Sequence, residues 1–293
     1  MEFTVQHRQV LKGVPSASGI VAVDDRLYVI GDNSAWLYQL NDQYDVANAY
    51  VLLPGVMDSI LSKDAKPDFE AMTAIPTEGH TGLLVFGSGS KSPERDTIAS
   101  ITLSDSIQTT LYEATTFYDA LRSSTYLDAE SMNIEAAATI DTTLYLFNRE
   151  HNLLLEYDLN AVLGFLKGLN ELPSYKAYRI NLPELNGLPA KFSGASAVPG
   201  SQQLVFTASV ENAPNTYDDG EVLGSYVGII DLAYVKDGYQ PECTLITEDS
   251  KTLAIKVESV EVIKVNSPNV LTVVLVTDSD GGASELLVGE LTW

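Results

Sequence analysis

The feature that most constrains this chain is a unit of short strands that recurs five times. The first strand of each unit reads SASGIVAV (16–23), DFEAMTAI (68–75), NIEAAATI (133–140), FSGASAV (192–198) and KVESVEVI (256–263). The second runs, such as RLYVIGDNS (26–34), GLLVFGSGS (82–90) and NVLTVVLVT (269–277), are largely apolar, as strands packed on both faces should be. Turn residues separate the runs: Asp24-Asp25, PTEGHTG (76–82) and VPGSQ (198–202). A β-sandwich also shows closely spaced short strands, but in-phase repetition of one unit favours an array of sheets.

The expected fold is all-β, a five-bladed β-propeller forming one domain over 1–293. Its blades fall near 16–53, 68–113, 133–180, 192–248 and 256–293. The fifth unit reaches Trp293 one strand short, while FTVQHRQVL (3–11) precedes the first unit without a partner. The N-terminal strand then closes the last blade, and closing the ring leaves only short, protected edges. Two inserts, TFYDALRSST (116–125) and LNAVLGFLKGL (159–169), read as short helices on the rim.

Charge narrows the partners. With 17 Lys+Arg against 40 Asp+Glu, the 293-residue chain carries a formal net charge of −23. That disfavours nucleic acid and anionic membrane surfaces, both of which need basic patches. Hydrophobic residues make up 45%, enough for a full core, yet no run reaches the length of a membrane span. The lone Cys243 excludes an internal disulfide and a multi-cysteine metal site. The start, MEFTVQHRQV, lacks an apolar signal core, so the expectation is a cytoplasmic monomer, or an exported one if a signal peptide has been removed.

In a propeller the first strands line the central channel. Aligning the five units on their apolar runs puts Ser18, Glu70, Glu135, Ser193 and Glu258 at one equivalent position, separated by 52, 65, 58 and 65 residues. Three carboxylates converging there would repel, by ~4 kcal/mol per pair at 4 Å and an effective dielectric of 20. Protons, water or a shared cation would relieve them. Oxygen donors without His or Cys select a hard ion, and a loose five-fold ring suits Ca²⁺ better than Mg²⁺. A wet, polar channel is the alternative.

The axial order Ser, Glu, Glu, Ser, Glu on five blades resembles the calcium-activated nucleotidases (apyrases). In that family a central Ca²⁺ is held by this order of residue types. The resemblance implies Ser18, Glu70, Glu135, Ser193 and Glu258 as ligands or ligand-orienting groups. NREHN (148–152) and TASVE (207–211) resemble that family's third- and fourth-blade turns, which puts Arg149 and Glu211 at the channel mouth. In the first blade Asp32 matches an aspartate of the family, but Asn33 replaces an arginine. A neutral amide lacks the charged fork that a nucleotide phosphate would need. The stretches SASG (16–19), FEA (69–71) and GSGSK (87–91) also resemble a bacterial β-propeller family to which no activity is attached.

The loops between second and third strands should surround the mouth. They hold Lys91, Arg95 and Arg149, which reads as a basic cleft for a small anionic ligand. GSGSKS (87–92) lacks the spacing of a P-loop, and TDSDGG (277–282) reads as an Asp-rich turn. Two functions stay open. One is a propeller that binds an anionic ligand beside a Ca²⁺-type ion. The other is a Ca²⁺-dependent hydrolase of a phosphorylated or ester substrate, with Asp32 or Glu211 handling water and Lys91, Arg95 and Arg149 holding the anion.

Overall fold

Hairpins with matched turns build each blade. Asp24 and Asp25 both take positive φ, 49° and 59°, the conformation a two-residue type I′ hairpin requires and one that aspartate tolerates. They join Ala17–Val23 to Arg26–Gly31, with Val23 opposite Arg26. In this computed structural model the described residues are 1–56, 60–77, 79–104, 106–212, 220–278 and 283–293.

Five four-stranded antiparallel sheets follow one another along the chain. Blade one continues from that hairpin with Trp36–Leu40 and Val46–Val51. Blade two is Phe69–Thr77, His80–Gly87, Thr97–Thr102 and Gln108–Glu113. Blade three is Ile134–Ile140, Thr143–Asn148, Leu153–Asp158 and Tyr175–Arg179. Blade four is Lys191–Ala197, Gln203–Asn212, Glu221–Asp231 and Glu242–Leu245. Blade five is Lys256–Ser267, Val270–Asp278, Glu285–Thr292 and, from the other end of the chain, Glu2–Val10. This last strand pairs antiparallel with Glu285–Thr292, from Glu2 opposite Thr292 to Val10 opposite Glu285. The expected ring closure is therefore present.

The first strands touch in cyclic order, each against the first strands of both neighbouring blades. The core is accordingly divided into five layers, one between each pair of blades. Between blades three and four, for example, Phe147, Phe192 and Phe206 stack edge to face at 5.0 and 5.5 Å. Helices Thr115–Arg122 and Leu159–Leu166 pack Phe117, Tyr118, Leu121 and Val162 against the layer between blades two and three.

Blade four ends earlier than the sequence pattern suggests. Its outer strand stops at Leu245 because the fully buried Ile246 turns into the core between blades four and five. Thr247–Glu248 then pairs with Lys251–Thr252 in a small separate hairpin.

Candidate functional site at the channel mouth

In each of the five first strands a β-bulge falls on the residue that sequence alignment places at the axis, and the first strand of blade five has two further irregularities beyond it. Pairing skips Ser18, Glu70, Glu135, Ser193 and Glu258 in the five blades. A bulge inserts one unpaired residue and re-aims its side chain, so the repeated irregularity separates these five from the alternation of their strands. Ser18, Glu70, Glu135 and Glu258 line a cavity of about 340 Å³ at the mouth. Ser193 does not line it; its hydroxyl donates to Thr207 Oγ1 at 3.2 Å, within blade four.

On the side of blades one and two, Asp32, Asp68 and Glu70 converge. One carboxylate oxygen from each lies within 4.8 Å of the other two. Asp32 leaves blade one just after its second strand, anchored by its N–H to the Ser16 carbonyl at 3.0 Å. Asp68 precedes blade two with φ 56°, a left-handed conformation, and is 4% exposed. Its carboxylate accepts from Ser88 Oγ at 2.5 Å and Arg95 Nη1 at 2.6 Å, and its other oxygen lies 2.7 Å from Lys66 Nζ. Lys66 also donates to Asp32.

Blades three, four and five supply a second chain of alternating charge. Arg149 is 8% exposed. Its Nη2 donates to Glu211 Oε1 at 2.6 Å, and its Nη1 lies 3.9 Å from Glu135. The same guanidinium reaches the Phe192 carbonyl at 3.3 Å and Ser209 Oγ at 3.1 Å. Lys256 Nζ lies 3.6 Å from Glu211 and 2.9 Å from Glu258 Oε1. Asn133 donates to Glu135 at 2.7 Å.

The cavity wall carries eight carboxylates against four basic side chains. Burial shifts three of these acids upward. Burial raises Glu70 well above an ordinary glutamate, and Asp68, Glu135 and Asp32 push it further, with Lys66 opposing. Glu135 is pushed up to about 7, by burial first and Glu258 next, against the pull of Arg149. Burial also raises Glu258. Burial alone would lower the Lys66 ammonium, but Asp68, Glu70 and Asp32 outweigh it and hold it protonated. Glu211 goes the other way: Arg149 and Lys256 overcome burial and hold its carboxylate below the usual range.

The three basic residues expected to form one cleft lie apart. Arg95 lines the cavity, bound to Asp68 and to Ser90 Oγ at 2.7 Å. Lys91 lies outside the wall, 44% exposed at its side chain, 3.5 Å from Glu94 and 3.8 Å from Asp64. Arg149 was expected as an accessible loop side chain and is instead enclosed behind the cavity, tied to Glu211. Asp32 faces the cavity, whereas Glu211 sits in the ion-pair chain behind it. Residues 213–219 and 279–282, in two of the mouth loops, fall outside the described residues, and with them most of TDSDGG.

Lys66 and Asp68 were missed by sequence reasoning. The signal available was the spacing in KPDFEA (66–71), which places Asp68 two residues before the axial Glu70.

Four buried atoms among the described residues have no hydrogen-bond partner: Asp32 Oδ1, Asn33 Oδ1, Glu258 Oε2 and Arg95 Nε. All four belong to residues of the cavity wall. Buried polar groups are mostly hydrogen-bonded in folded proteins, to protein or to ordered water, and these four exceptions are gathered on one wall.

A family model covers residues 13–291, nearly the whole propeller. The chain belongs to DUF6929, a family of unknown function. No functionally curated protein matches this DUF6929 chain in sequence. Among solved structures it is similar in fold to the glutaminyl cyclase of Myxococcus xanthus, at 9% identity and TM-score 0.52 over 99% of this chain and 97% of that one. An α-L-arabinanase mutant of Cellvibrio cellulosa is similar more distantly, at 12% identity and TM-score 0.48 over 96% and 92%. Likeness at such identity concerns the fold alone. The expected link to the calcium-activated nucleotidases is not shown by these comparisons. Among the described residues, no helix is long and apolar enough to cross a membrane.

Proposed function

We propose that this DUF6929 propeller binds a hard cation of the Ca²⁺ type at its channel mouth, through Asp32, Asp68 and Glu70, and a small anionic ligand beside it. The supporting observation is the set of unpartnered buried oxygens on Asp32, Asn33 and Glu258, in a wall whose carboxylates outnumber its cations. The donor set fits: it is all oxygen, and Ca²⁺–oxygen distances of about 2.3–2.6 Å place two ligands of one ion at most ~5 Å apart. The 4.8 Å limit on the Asp32, Asp68 and Glu70 oxygens meets that requirement.

The cation and the Lys66 ammonium share the same carboxylates. Occupancy by a divalent ion would release Lys66 from Asp32 toward the cavity, next to Arg95 with its unpartnered Nε. Two cationic side chains and an ion then face one space, which suits a small carboxylate or phosphate. Without the ion the wall is net acidic and repels such a ligand. Anion binding should therefore depend on the cation.

A second reading is hydrolysis of a phosphorylated or ester ligand at the same place. Glu135 favours it, because a carboxyl held near 7 on the cavity wall can give and take a proton at neutral pH. Glu211 supports it less, since a carboxylate stabilised by Arg149 and Lys256 is a weak base.

Melting curves in calcium, in magnesium and in chelator, each with and without a panel of small phosphates and carboxylates, test the binding reading. The expected result is stabilisation by calcium and a further rise with one class of anion only when calcium is present. Anion stabilisation that is equal in chelator would overturn the cation-first order. Turnover of any phosphate or ester in the panel would favour the hydrolase.

A further inference from the structure

Three residues beyond the bulges, the channel holds a different kind of site. The equivalent positions there are Val21, Thr73, Ala138, Ser196 and Glu261, about 10 Å deeper by strand rise. They line a second cavity of about 70 Å³ whose wall is otherwise made largely of alanines. Glu261 is the one charged side chain in that wall. Its carboxylate accepts from Ser196 Oγ at 2.9 Å and from the backbone N–H of Ala22. Thr73 and Thr139 add two further hydroxyls, 3.2 Å apart across blades two and three.

Glu261 is half-buried, and a carboxylate shut into such a wall without a counter-charge is costly, so it takes up either a proton or a cation. Among the described residues no ion pair is made by Glu261, in contrast to Asp32, Asp68, Glu135 and Glu258 at the mouth. The space admits about two water-sized groups, too little for an organic ligand. A single negative charge with neutral hydroxyls around it suits a monovalent ion, since a divalent one would want more carboxylates. We propose that Glu261, with the hydroxyls of Thr73, Thr139 and Ser196, forms a site for one small monovalent cation, an alkali ion or ammonium, inside the channel.

The site is separate from the mouth, so it stands whether or not Ca²⁺ binds there. Its carboxyl is pushed up to about 8 by burial, with the bonds from Ala22 and Ser196 partly offsetting this. The cation should therefore bind chiefly above that pH. The residues facing Glu261 from blades one to four are Val21, Met72 to Ala74, Ala137 to Thr139 and Ala195 to Ala197, none of them titratable.

The test compares melting temperatures at pH 9 in sodium, potassium, ammonium and choline chloride of equal ionic strength, with chelator throughout. At least one of the small cations should raise the melting temperature by about 2 °C over choline once present at tenfold its dissociation constant. The rise should vanish at pH 6 and in Glu261→Gln, shrink in Thr73→Val, and persist in Asp68→Asn. Which salt acts tells alkali ion from ammonium. Equal melting in all four salts would overturn the proposal and leave a protonated Glu261. So would a salt response unchanged in both Glu261→Gln and Thr73→Val. If Glu261→Gln does not fold, the wild-type salt series and Thr73→Val decide.

Discussion

Lys66 Nζ lies 2.7 Å from Asp68 Oδ1, two residues on, and the same ammonium bonds Asp32 of the neighbouring blade. One lysine thus joins blades one and two at the point where three carboxylates meet. It is an internal counter-ion that an added cation must displace.

Replacing that ammonium separates stability from cation affinity. Lys66→Met leaves Asp32, Asp68 and Glu70 with Arg95 as their near counter-charge, and breaking a buried pair costs about 3–5 kcal/mol. The cation-free variant should melt well below wild type. Calcium should bind it more tightly, because no resident charge competes, and should restore most of the lost stability. A variant that melts like wild type in chelator would show that Lys66 is not buried among these acids.

Arg149 and Lys91 make a contrasting pair. Arg149→Ala strips Glu211 and Glu135 of an enclosed partner and should destabilise by about 3–5 kcal/mol in a denaturant titration. Lys91→Ala removes an exposed contact to Glu94 and Asp64 and should stay within about 0.5 kcal/mol of wild type. Equal effects would contradict the placement of Arg149 behind the cavity.

The channel acids fix the sign of the pH dependence. Glu70, Glu135, Glu258 and Glu261 all titrate above the usual 4.5 in the folded chain, two of them near 7 and 8. Between those limits the folded state holds protons that the unfolded chain has released. Stability from this source is therefore greatest at the acid end and is lost as pH rises through 7 and 8. In chelator and choline, the melting temperature should fall by several degrees from pH 5.5 to 8.5, and calcium should reduce the fall. A flat or rising profile would mean that these carboxyls are ionised in the fold without strain.

The blades were legible because they rest on local chemistry: apolar second strands, Asp24-Asp25-type turns, and an orphan strand at 3–11 matched by a missing one at 293. The axial positions were legible because equivalent residues in a repeat share a place, and the bulges at Ser18, Glu70, Glu135, Ser193 and Glu258 bear that register out. Other features depend on contacts remote in sequence. The approach of Arg149 to Glu211, 62 residues on, required the curvature between blades three and four. The turning of Ser193 to Thr207 and the entry of Lys66 between Asp32 and Asp68 depend on side-chain direction, which strand patterning does not encode.

Calcium titration by isothermal calorimetry tests the central claim most directly, using chelator-stripped wild type and Asp68→Asn near neutral pH. Wild type should bind one Ca²⁺ per chain saturably and Asp68→Asn at least about tenfold more weakly, with both proteins folded by circular dichroism. No saturable heat in wild type, or the same dissociation constant in Asp68→Asn, would contradict that claim.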